Sequence, residues 1–174
     1  MKSEKQKGGG ECMRAILRVD DRLLHGKLSI SWTSYLKTDT ILIANENAVN
    51  DEFTMMSLRL AKPRNVQIII QDIPDAIAYL RESSESERRI LVVVKKIVDA
   101  LPLLEAFSFF TSLNIGGLRS RNAKIEISPA IFLNEADLAI CKELSRTIEI
   151  YFQEIPEHPK IHFQDLQISE SRQI

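Results

Sequence analysis

Short apolar runs recur along the chain at intervals that suit alternating strands and helices. Five of these runs have the length and the β-branched content of strands. They span residues 13–19, 40–44, 66–71, 90–94 and 111–117. The run at 66–71 is rich in isoleucine, which indicates a strand that is buried on both faces of a sheet.

Residues at helical spacing follow the first two runs. The first helix begins close to His25. The second helix has Asn50 or Asp51 as its N-terminal cap and ends before Pro63. The apolar positions that mark this second helix are Phe53, Met56 and Leu60.

Two further helices follow the third and fourth runs. Asp72 and Pro74 open the third helix. The fourth helix runs through Leu104. It can contain Pro102 only if this residue lies in the first turn, where the backbone N–H has no partner within the helix. Strands and helices thus alternate, which favours parallel strands joined by crossover helices.

The last third of the chain departs from this alternation. Residues 123–133 alternate polar and apolar side chains around Pro129, which is typical of an antiparallel excursion or an edge strand. Asn134 and Asp137 form a capping pair for a helix, and residues 147–155 form a last strand. We therefore predict the α/β fold class: a single domain with a mainly parallel open sheet, helices on both faces and a late antiparallel or edge strand.

Composition agrees with one globular domain. The chain has 174 residues, of which 44% are hydrophobic and 27% are charged. The net charge of −1 creates no field that favours nucleic acid or an anionic membrane, and no apolar run is long enough to cross a bilayer. The amino terminus lacks the apolar stretch of a signal peptide. We expect a flexible tail at 1–12, the domain at 13–168 and a second tail at 169–174.

Glycines are rare in the predicted domain. The chain has six glycines, of which three lie in the amino-terminal tail and the others are Gly26, Gly116 and Gly117. Gly26 follows His25, and the other two end the fifth predicted strand. Because the carboxyl ends of parallel strands share one rim, where ligands bind, these glycines are expected to border one site. Ordinary turn chemistry is the other interpretation.

His25 lies at the first strand-to-helix junction, where a histidine can also be a simple capping residue. Its neighbours favour chemistry. Arg22 offers a planar fork of donors suited to phosphate, and Arg18 and Lys27 add positive charge. The following helix adds free N–H groups and the positive end of its dipole. This combination predicts an anion-binding site around His25.

Asp20 and Asp21 complete this segment. They are placed either to hold Arg22 or to accept the proton of one ring nitrogen of His25, so that the other nitrogen can attack. A neutral imidazole beside anion-binding groups suits a transient phosphohistidine better than it suits a metal ligand.

Other chemistries find little support. His158 and His162 have the spacing of a helical metal motif, but Pro159 lies between them and no acidic third ligand is placed. The chain has no P-loop, no dinucleotide fingerprint and no nucleophile elbow. Cys12 and Cys141 show no ligand or redox spacing, which indicates free thiols in a reducing cytosol.

A response-regulator receiver domain is one alternative, because "ILRVDD" resembles the start of that family. The resemblance implies a magnesium-binding acidic pair and a phosphorylated aspartate at the end of the third strand, where Asp72 stands. The later positions do not agree. Lys95 and Lys96 follow the fourth predicted strand, no lysine ends the fifth, and residues 123–133 have no place in that fold.

A more specific resemblance rests on "RVDDRLLHGKLSISW". This segment resembles the active-site segment of IIB components of the mannose/sorbose-type bacterial phosphotransferase system (PTS), whose signature runs Arg, hydrophobic, Asp, Asp, Arg, Leu, hydrophobic, His, Gly, Gln. The segments "ILIANENAVND", "AKPRNVQIII", "LNIGGL" and "TIEIYFQEIPEHPKIHFQDL" resemble later parts of the family in the same order. The resemblance covers most of residues 13–168.

The resemblance implies a protein-N(pi)-phosphohistidine–sugar phosphotransferase subunit. In this family a histidine accepts phosphate from a phosphohistidine on a IIA protein or domain and passes it to a sugar that enters through the membrane IIC and IID subunits. The resemblance thus implies a cytoplasmic protein that associates peripherally with the permease. The resemblance implies no cofactor, neither a nucleotide nor a metal, and no nucleic-acid partner. Assembly into a homo-oligomer is left open.

Carried over by motif position, His25 is the phosphorylated nucleophile and Arg22 is the nearest phosphate-stabilising group. The supporting positions are Arg18, Asp20, Asp21, Gly26 and Lys27, with Gly116 and Gly117 on the rim.

The chain departs from the family pattern at three places within the predicted domain, and its amino-terminal extension is also unusual. Lys27 replaces the usual glutamine, "KKIVDALP" lacks an Asn-Pro pair, and the sequence after the two adjacent glycines differs. A degenerate IIB protein that acts as a phosphorylation-sensing binding module is therefore a second alternative.

Overall fold

The structure is a computed structural model that describes residues 13–166. The expected tails at 1–12 and 169–174, and the last two residues of the expected domain, lie outside the described residues. The described strands are β1 (Arg14–Asp20), β2 (Thr40–Ala44), β3 (Gln67–Gln71), β4 (Arg89–Val94), β5 (Ser112–Arg119), β6 (Ile125–Ser128), β7 (Ile131–Leu133), β8 (Glu149–Phe152) and β9 (Ile161–His162).

Helices connect most of these strands. A π-helical turn (Leu28–Trp32) leads directly into α1 (Thr33–Leu36). The other helices are α2 (Glu46–Asn50), α3 (Glu52–Leu60), α4 (Ile73–Glu82), α5 (Ile97–Ala106), α6 (Glu135–Leu144) and a 3₁₀ turn (Phe163–Asp165).

The sheet is mainly parallel, as the sequence predicts. Its strands lie in the order β3-β2-β4-β1-β5-β8-β9, and every pair is parallel except the last. β6 and β7 form the antiparallel excursion around Pro129, and β7 lies parallel to the end of β5. β1 is central, with β4 on one side and β5 on the other.

Apolar side chains are buried on both faces of the sheet. Leu17, Val19, Val92 and Leu113 belong to one core cluster, which also contains the buried residues of α4, α5 and α6. Leu91 and Val93 belong to the other cluster, with buried residues of the π-helical turn, α2 and α3. The prediction of helices on both faces is therefore confirmed.

The prediction that residues 66–71 are buried on both faces is wrong. β3 pairs only with β2 and forms an edge of the sheet, so its isoleucines are half-buried. A β-branched run indicates a strand, but the run does not determine which neighbours the strand acquires.

The helical segment between β2 and β3 also differs from the sequence-based prediction, because it contains two helices, α2 and α3. α2 is absent from the sequence-based expectation, and Asn45 caps it through a bond from Ala48 N. Asp51 caps α3 as predicted. The three apolar positions that mark α3, however, lie in solvent, with exposed fractions of 79% at Phe53, 64% at Met56 and 82% at Leu60.

Predictions for the later helices are mostly confirmed. Asp72 caps α4, and Asn134 and Asp137 form a reciprocal capping box at α6. Pro102 is the exception, because it lies in the second turn of α5 rather than in the first. There it removes one helical hydrogen bond.

The strand order contradicts the receiver alternative. β1 and β3 are separated by β4 and β2, so the ends of these strands are roughly 14 Å apart at the usual strand spacing. Asp72, at the end of β3, therefore cannot join Asp20 and Asp21 in one magnesium site.

Candidate functional site

A tight turn after β1 brings the chain back over the carboxyl end of that strand. Leu23 N donates to the Asp20 carbonyl at 2.9 Å. Leu23 has φ of 56°, a left-handed conformation that leucine rarely adopts, and its side chain is buried. The buried side chain and the turn hydrogen bond hold this strained residue, which the sequence alone does not reveal. The turn places His25 above the end of β1.

Asp20 is the centre of the site. Its side chain is fully buried, and its Oδ2 accepts from Arg18 Nη2 at 2.9 Å and contacts His25 Nε2 at 3.1 Å. Its Oδ1 accepts from Arg22 N at 3.3 Å and lies 3.5 Å from Arg22 Nε. Three residues of the predicted site thus meet on one carboxylate.

The protonation of Asp20 determines which nitrogen of His25 is available. Burial acts to raise the pKa of Asp20, but the hydrogen bond from His25 and the charge of Arg18 outweigh it, so the pKa lies below its usual value. An ionised carboxylate only accepts hydrogen bonds, so the proton of a neutral His25 resides on Nε2. Nδ1 then keeps its lone pair.

Arg18 lies beneath the site, fully buried. Its Nη1 donates to the side-chain oxygen of Asn114 and to the Gln153 carbonyl, and its Nη2 donates to the Glu154 carbonyl at 3.0 Å. The guanidinium also lies 5.0 Å from the Trp32 ring. Burial lowers the pKa of Arg18, and the charge of Asp20 opposes that effect. Arg18 therefore orients Asp20 and joins β1 to the segment after β8.

Gly116 and Gly117 make room for this arrangement. A Cβ atom on Gly116 would lie 1.8 Å from Arg18 Cζ, and one on Gly117 would lie 2.9 Å from Asp20 Oδ1. Close approach explains both glycines, since no glycine in the described residues has positive φ. The prediction that they end their strand is wrong, because β5 continues to Arg119.

Gly26 differs from the other two glycines. It begins the helical segment after His25, and a Cβ atom there would meet nothing within 4 Å. The space beside Gly26, the residue that follows His25, is therefore open.

Charged side chains surround this opening. The Arg22 side chain is 48% exposed, and Lys27, 62% exposed, pairs with Glu154 at 3.2 Å between Nζ and Oε1. Asp21 points away from His25, because its Oδ2 accepts from Arg119 N at 2.8 Å. All five charged side chains named here line a cavity of about 370 Å³, together with Pro129 and Ala130.

Sequence reasoning missed five contributors to the site, which are Trp32, Asn114, Arg119, Gln153 and Glu154. Asn114 carries a detectable signal, since it is a polar residue inside the apolar run that forms β5. Gln153 and Glu154 follow β8, whose carboxyl end shares the rim with β1, so the strand-end rule could have found them.

The other two histidines lie in the segment after β8 and do not meet in a metal site. His162 Nδ1 pairs with Glu149 Oε1 at 3.0 Å, whereas the side chain of His158 is exposed. Across residues 13–166, no cluster of three or more His, Cys, Asp or Glu side chains has the geometry to hold a metal ion. Within the same range, no helix combines the length and apolarity needed to span a bilayer.

Two relatives resemble the chain over most of its length. A probable phosphotransferase enzyme IIB component from Streptococcus pyogenes is 27% identical over 157 residues, which cover 86% of this chain and 96% of that protein. The mannose-specific EIIAB component of the PTS from Escherichia coli is 26% identical over 152 residues, which cover 87% of this chain but 47% of that protein. This chain thus spans about half the length of the Escherichia coli relative.

The fold agrees with that of a solved member. The IIB domain of the sorbose permease from Klebsiella pneumoniae superimposes with a TM-score of 0.80 at 24% identity, and covers 88% of this chain and 95% of that chain. The family model described as PTS system sorbose subfamily IIB component matches residues 14–173. The chain therefore belongs to the sorbose-subfamily IIB components, the phosphocarrier subunits of a sugar phosphotransferase system.

Proposed function

We propose that His25 carries the phosphoryl group of this IIB component. It would receive the group from a phosphohistidine on a IIA protein or domain and pass it to a sugar that enters through membrane IIC and IID subunits. One observation supports this role above the others: Asp20 holds His25 by Nε2, which leaves Nδ1 as the free nucleophile, and the sequence neighbours Arg22 and Lys27 line an open cavity.

The transfer exchanges one P–N bond for another. Nδ1 of His25 attacks phosphorus in line, and the bond from phosphorus to the imidazole of the donor breaks. The proton on Nε2 stays in its hydrogen bond to Asp20 and stabilises the phosphorylated ring. The oxygen of the sugar hydroxyl then attacks phosphorus, the P–Nδ1 bond breaks, and the hydroxyl proton is released to water, which leaves the neutral imidazole of His25. Such transfer needs chiefly alignment and charge stabilisation, so the proposal includes no nucleotide and no metal.

Each supporting residue has a role that follows from its position. Arg22 is half-exposed at the cavity and binds the phosphoryl oxygens. Arg18 and Asp20 are positioning residues, since both are buried under the ring. Gly26 leaves room for the group, and Asp21 orders the wall of the cavity through its bond to Arg119 N.

The comparisons support the proposed partners by analogy. The name of the Escherichia coli relative combines IIA and IIB components in one mannose-specific chain. We propose that residues 13–168 form the unit that docks to IIA and works at the cytoplasmic face of the permease.

Phosphate labelling tests the proposal. A IIA protein carrying ³²P-phosphohistidine is mixed with the full chain, and the label is expected on His25 as an acid-labile, alkali-stable phosphate. His25→Ala is expected to take no label. His158→Ala is the matched control, because that side chain is exposed and is not among the side chains that pair with Asp20, and it is expected to label normally. Equal labelling of His25→Ala and the wild type would show that the assignment is wrong.

A further inference from the structure

Lys27 and Glu154 form an ion pair at the edge of the cavity beside His25. Lys27 stands two residues after His25 and Glu154 two residues after the end of β8, so the pair bridges two segments of the rim. Their charged atoms are 3.2 Å apart. The Lys27 side chain is largely exposed, whereas that of Glu154 is mostly buried.

The backbone at Glu154 is fixed independently of its side chain. The Glu154 carbonyl accepts from Arg18 Nη2 at 3.0 Å and from Trp32 Nε1 at 2.8 Å. The carboxylate can therefore lose its lysine partner without movement of the chain. Lys27 is the mobile member, since its ammonium is carried on a flexible four-carbon stem.

The other charges on the cavity are already engaged. The Arg119 guanidinium donates to the Pro129 carbonyl at 2.9 Å, and Asp21 accepts from Arg119 N. Arg22 contacts Asp20, the partner of His25, through Nε. Within the described residues, three cationic side chains line this cavity. Among them, only Lys27 pairs with an acidic side chain that also lines the cavity, which is Glu154.

A phosphoryl group on His25 would bring close to two negative charges to this edge. It would attract the Lys27 ammonium and repel the Glu154 carboxylate. Building on the proposed function of His25, we propose that Lys27 and Glu154 form a charge switch in which Lys27 leaves Glu154 and binds the phosphoryl group. The pair thereby sets how phosphate is distributed between the donor and this chain.

The switch adds no covalent step. The P–N bond to the donor breaks, the P–N bond to Nδ1 of His25 forms, and neither Lys27 nor Glu154 gains or loses a proton. Lys27 favours the phosphorylated state. Glu154 favours the free state, because it binds Lys27 there and would repel the phosphoryl group afterwards.

The equilibrium of phosphate between IIA and this chain tests the switch. The measured quantity is the ratio of phosphorylated His25 to phosphorylated IIA at equilibrium. Lys27→Gln is expected to lower this ratio by about three- to fivefold, the size expected for a partly exposed charge pair. Glu154→Gln is expected to raise that ratio by a similar factor. In the Lys27→Gln background the effect of Glu154→Gln is expected to shrink, because the competition for Lys27 is gone.

Matched variants control for net charge. Lys142→Gln on α6 and Glu157→Gln in the segment after β8 remove the same charges at exposed positions outside the site, and both are expected to leave the ratio unchanged. If every variant is labelled on His25 and shows the same ratio as the wild type, the switch is overturned and the proposed function remains intact. Equal effects of Glu154→Gln in both backgrounds would also overturn it. Absence of label on wild-type His25 would instead refute the proposed function.

Discussion

The site depends on a single buried carboxylate. Asp20 contacts Arg18, Arg22 and His25, and each contact does something different. Arg18 offsets the burial of the negative charge, Arg22 is held near the opening, and His25 has its tautomer fixed. A buried charge with all its partners in place is stable, whereas loss of one partner exposes the full cost of desolvation.

Asp20→Asn is expected to impair both the fold and the transfer. The variant leaves the buried guanidinium of Arg18 without its counter-charge, which costs about 3 kcal/mol. It also allows His25 to adopt either tautomer, and we expect phosphotransfer from IIA to slow by about 100-fold. ¹⁵N spectra of the imidazole, recorded where circular dichroism shows a folded variant, separate the two effects. A wild-type transfer rate with a single Nε2–H tautomer would contradict the role of Asp20.

Acid should lower the stability of the fold by protonating Asp20. The pKa of Asp20 is lower in the folded chain than in the unfolded chain, so Asp20 stabilises the fold above its unfolded pKa of about 4. This contribution is lost as the pH falls through the folded pKa. In urea unfolding between pH 7 and pH 3, the loss of stability should therefore be smaller in Asp20→Asn than in the wild type.

At the scale of elements, two helices are irregular, and only one of them supports the candidate site. The π-helical turn (Leu28–Trp32) directs Trp32 towards the Glu154 carbonyl and the guanidinium of Arg18, so it belongs to the support of the site. Pro102 lies in the second turn of α5, a helix whose buried residues belong to the other core cluster from Trp32. Its ring deprives the helix of one hydrogen bond.

Pro102→Ala is therefore expected to stabilise the protein without changing the transfer. The helix regains the bond from residue 102 to the Val98 carbonyl, and the gain should be about 1 kcal/mol or more, within the 3 kcal/mol typical of a proline inside a helix. Thermal unfolding should show a higher midpoint, and labelling by phosphorylated IIA should be unchanged. A lower midpoint would indicate that the proline ring contributes packing that outweighs the lost bond.

At the scale of the whole molecule, the strand order brings distant segments together. β1, β5 and β8 are neighbours, so residues near positions 20, 116 and 154 meet at one rim. The same order separates Asp72 from that rim. The two core clusters hold this arrangement, and they contain the titratable side chains Cys141 and Tyr151.

These two side chains should limit stability in alkali. Burial raises the pKa of Cys141 from 9.0 to about 12, and burial together with Glu149 raises the pKa of Tyr151 from 10.0 to about 12. Because both groups ionise first in the unfolded chain, their contribution is complete below pH 9 and is lost as the pH rises to about 12. The free energy of unfolding in urea is expected to fall by up to about 1.4 kcal/mol per pH unit for each group.

Cys141→Ala isolates one of the two contributions. Between pH 9 and pH 10 the fall should come mainly from the thiol, so the variant should lose less stability than the wild type over that interval. Above pH 10 Tyr151 should act in both proteins. An identical slope in the variant and the wild type below pH 10 would contradict the assignment to Cys141.

The sequence by itself determined the local features. The apolar runs identified the central strands, the Asx caps at Asp51, Asp72 and Asn134 marked helix starts, and the segment at 18–27 indicated the family and the histidine that we propose as the phosphate carrier. These features depend on neighbours within a few residues, which is why a pattern can report them.

Only the tertiary structure decided how distant residues meet. It buried Arg18 under Asp20, used Gly116 to make space for the guanidinium, and brought Glu154 to Lys27 across 127 positions of sequence. It also left β3 at an edge and the apolar positions of α3 in solvent. Burial and counter-charges are properties of strand order and packing, and no periodicity along the chain encodes them.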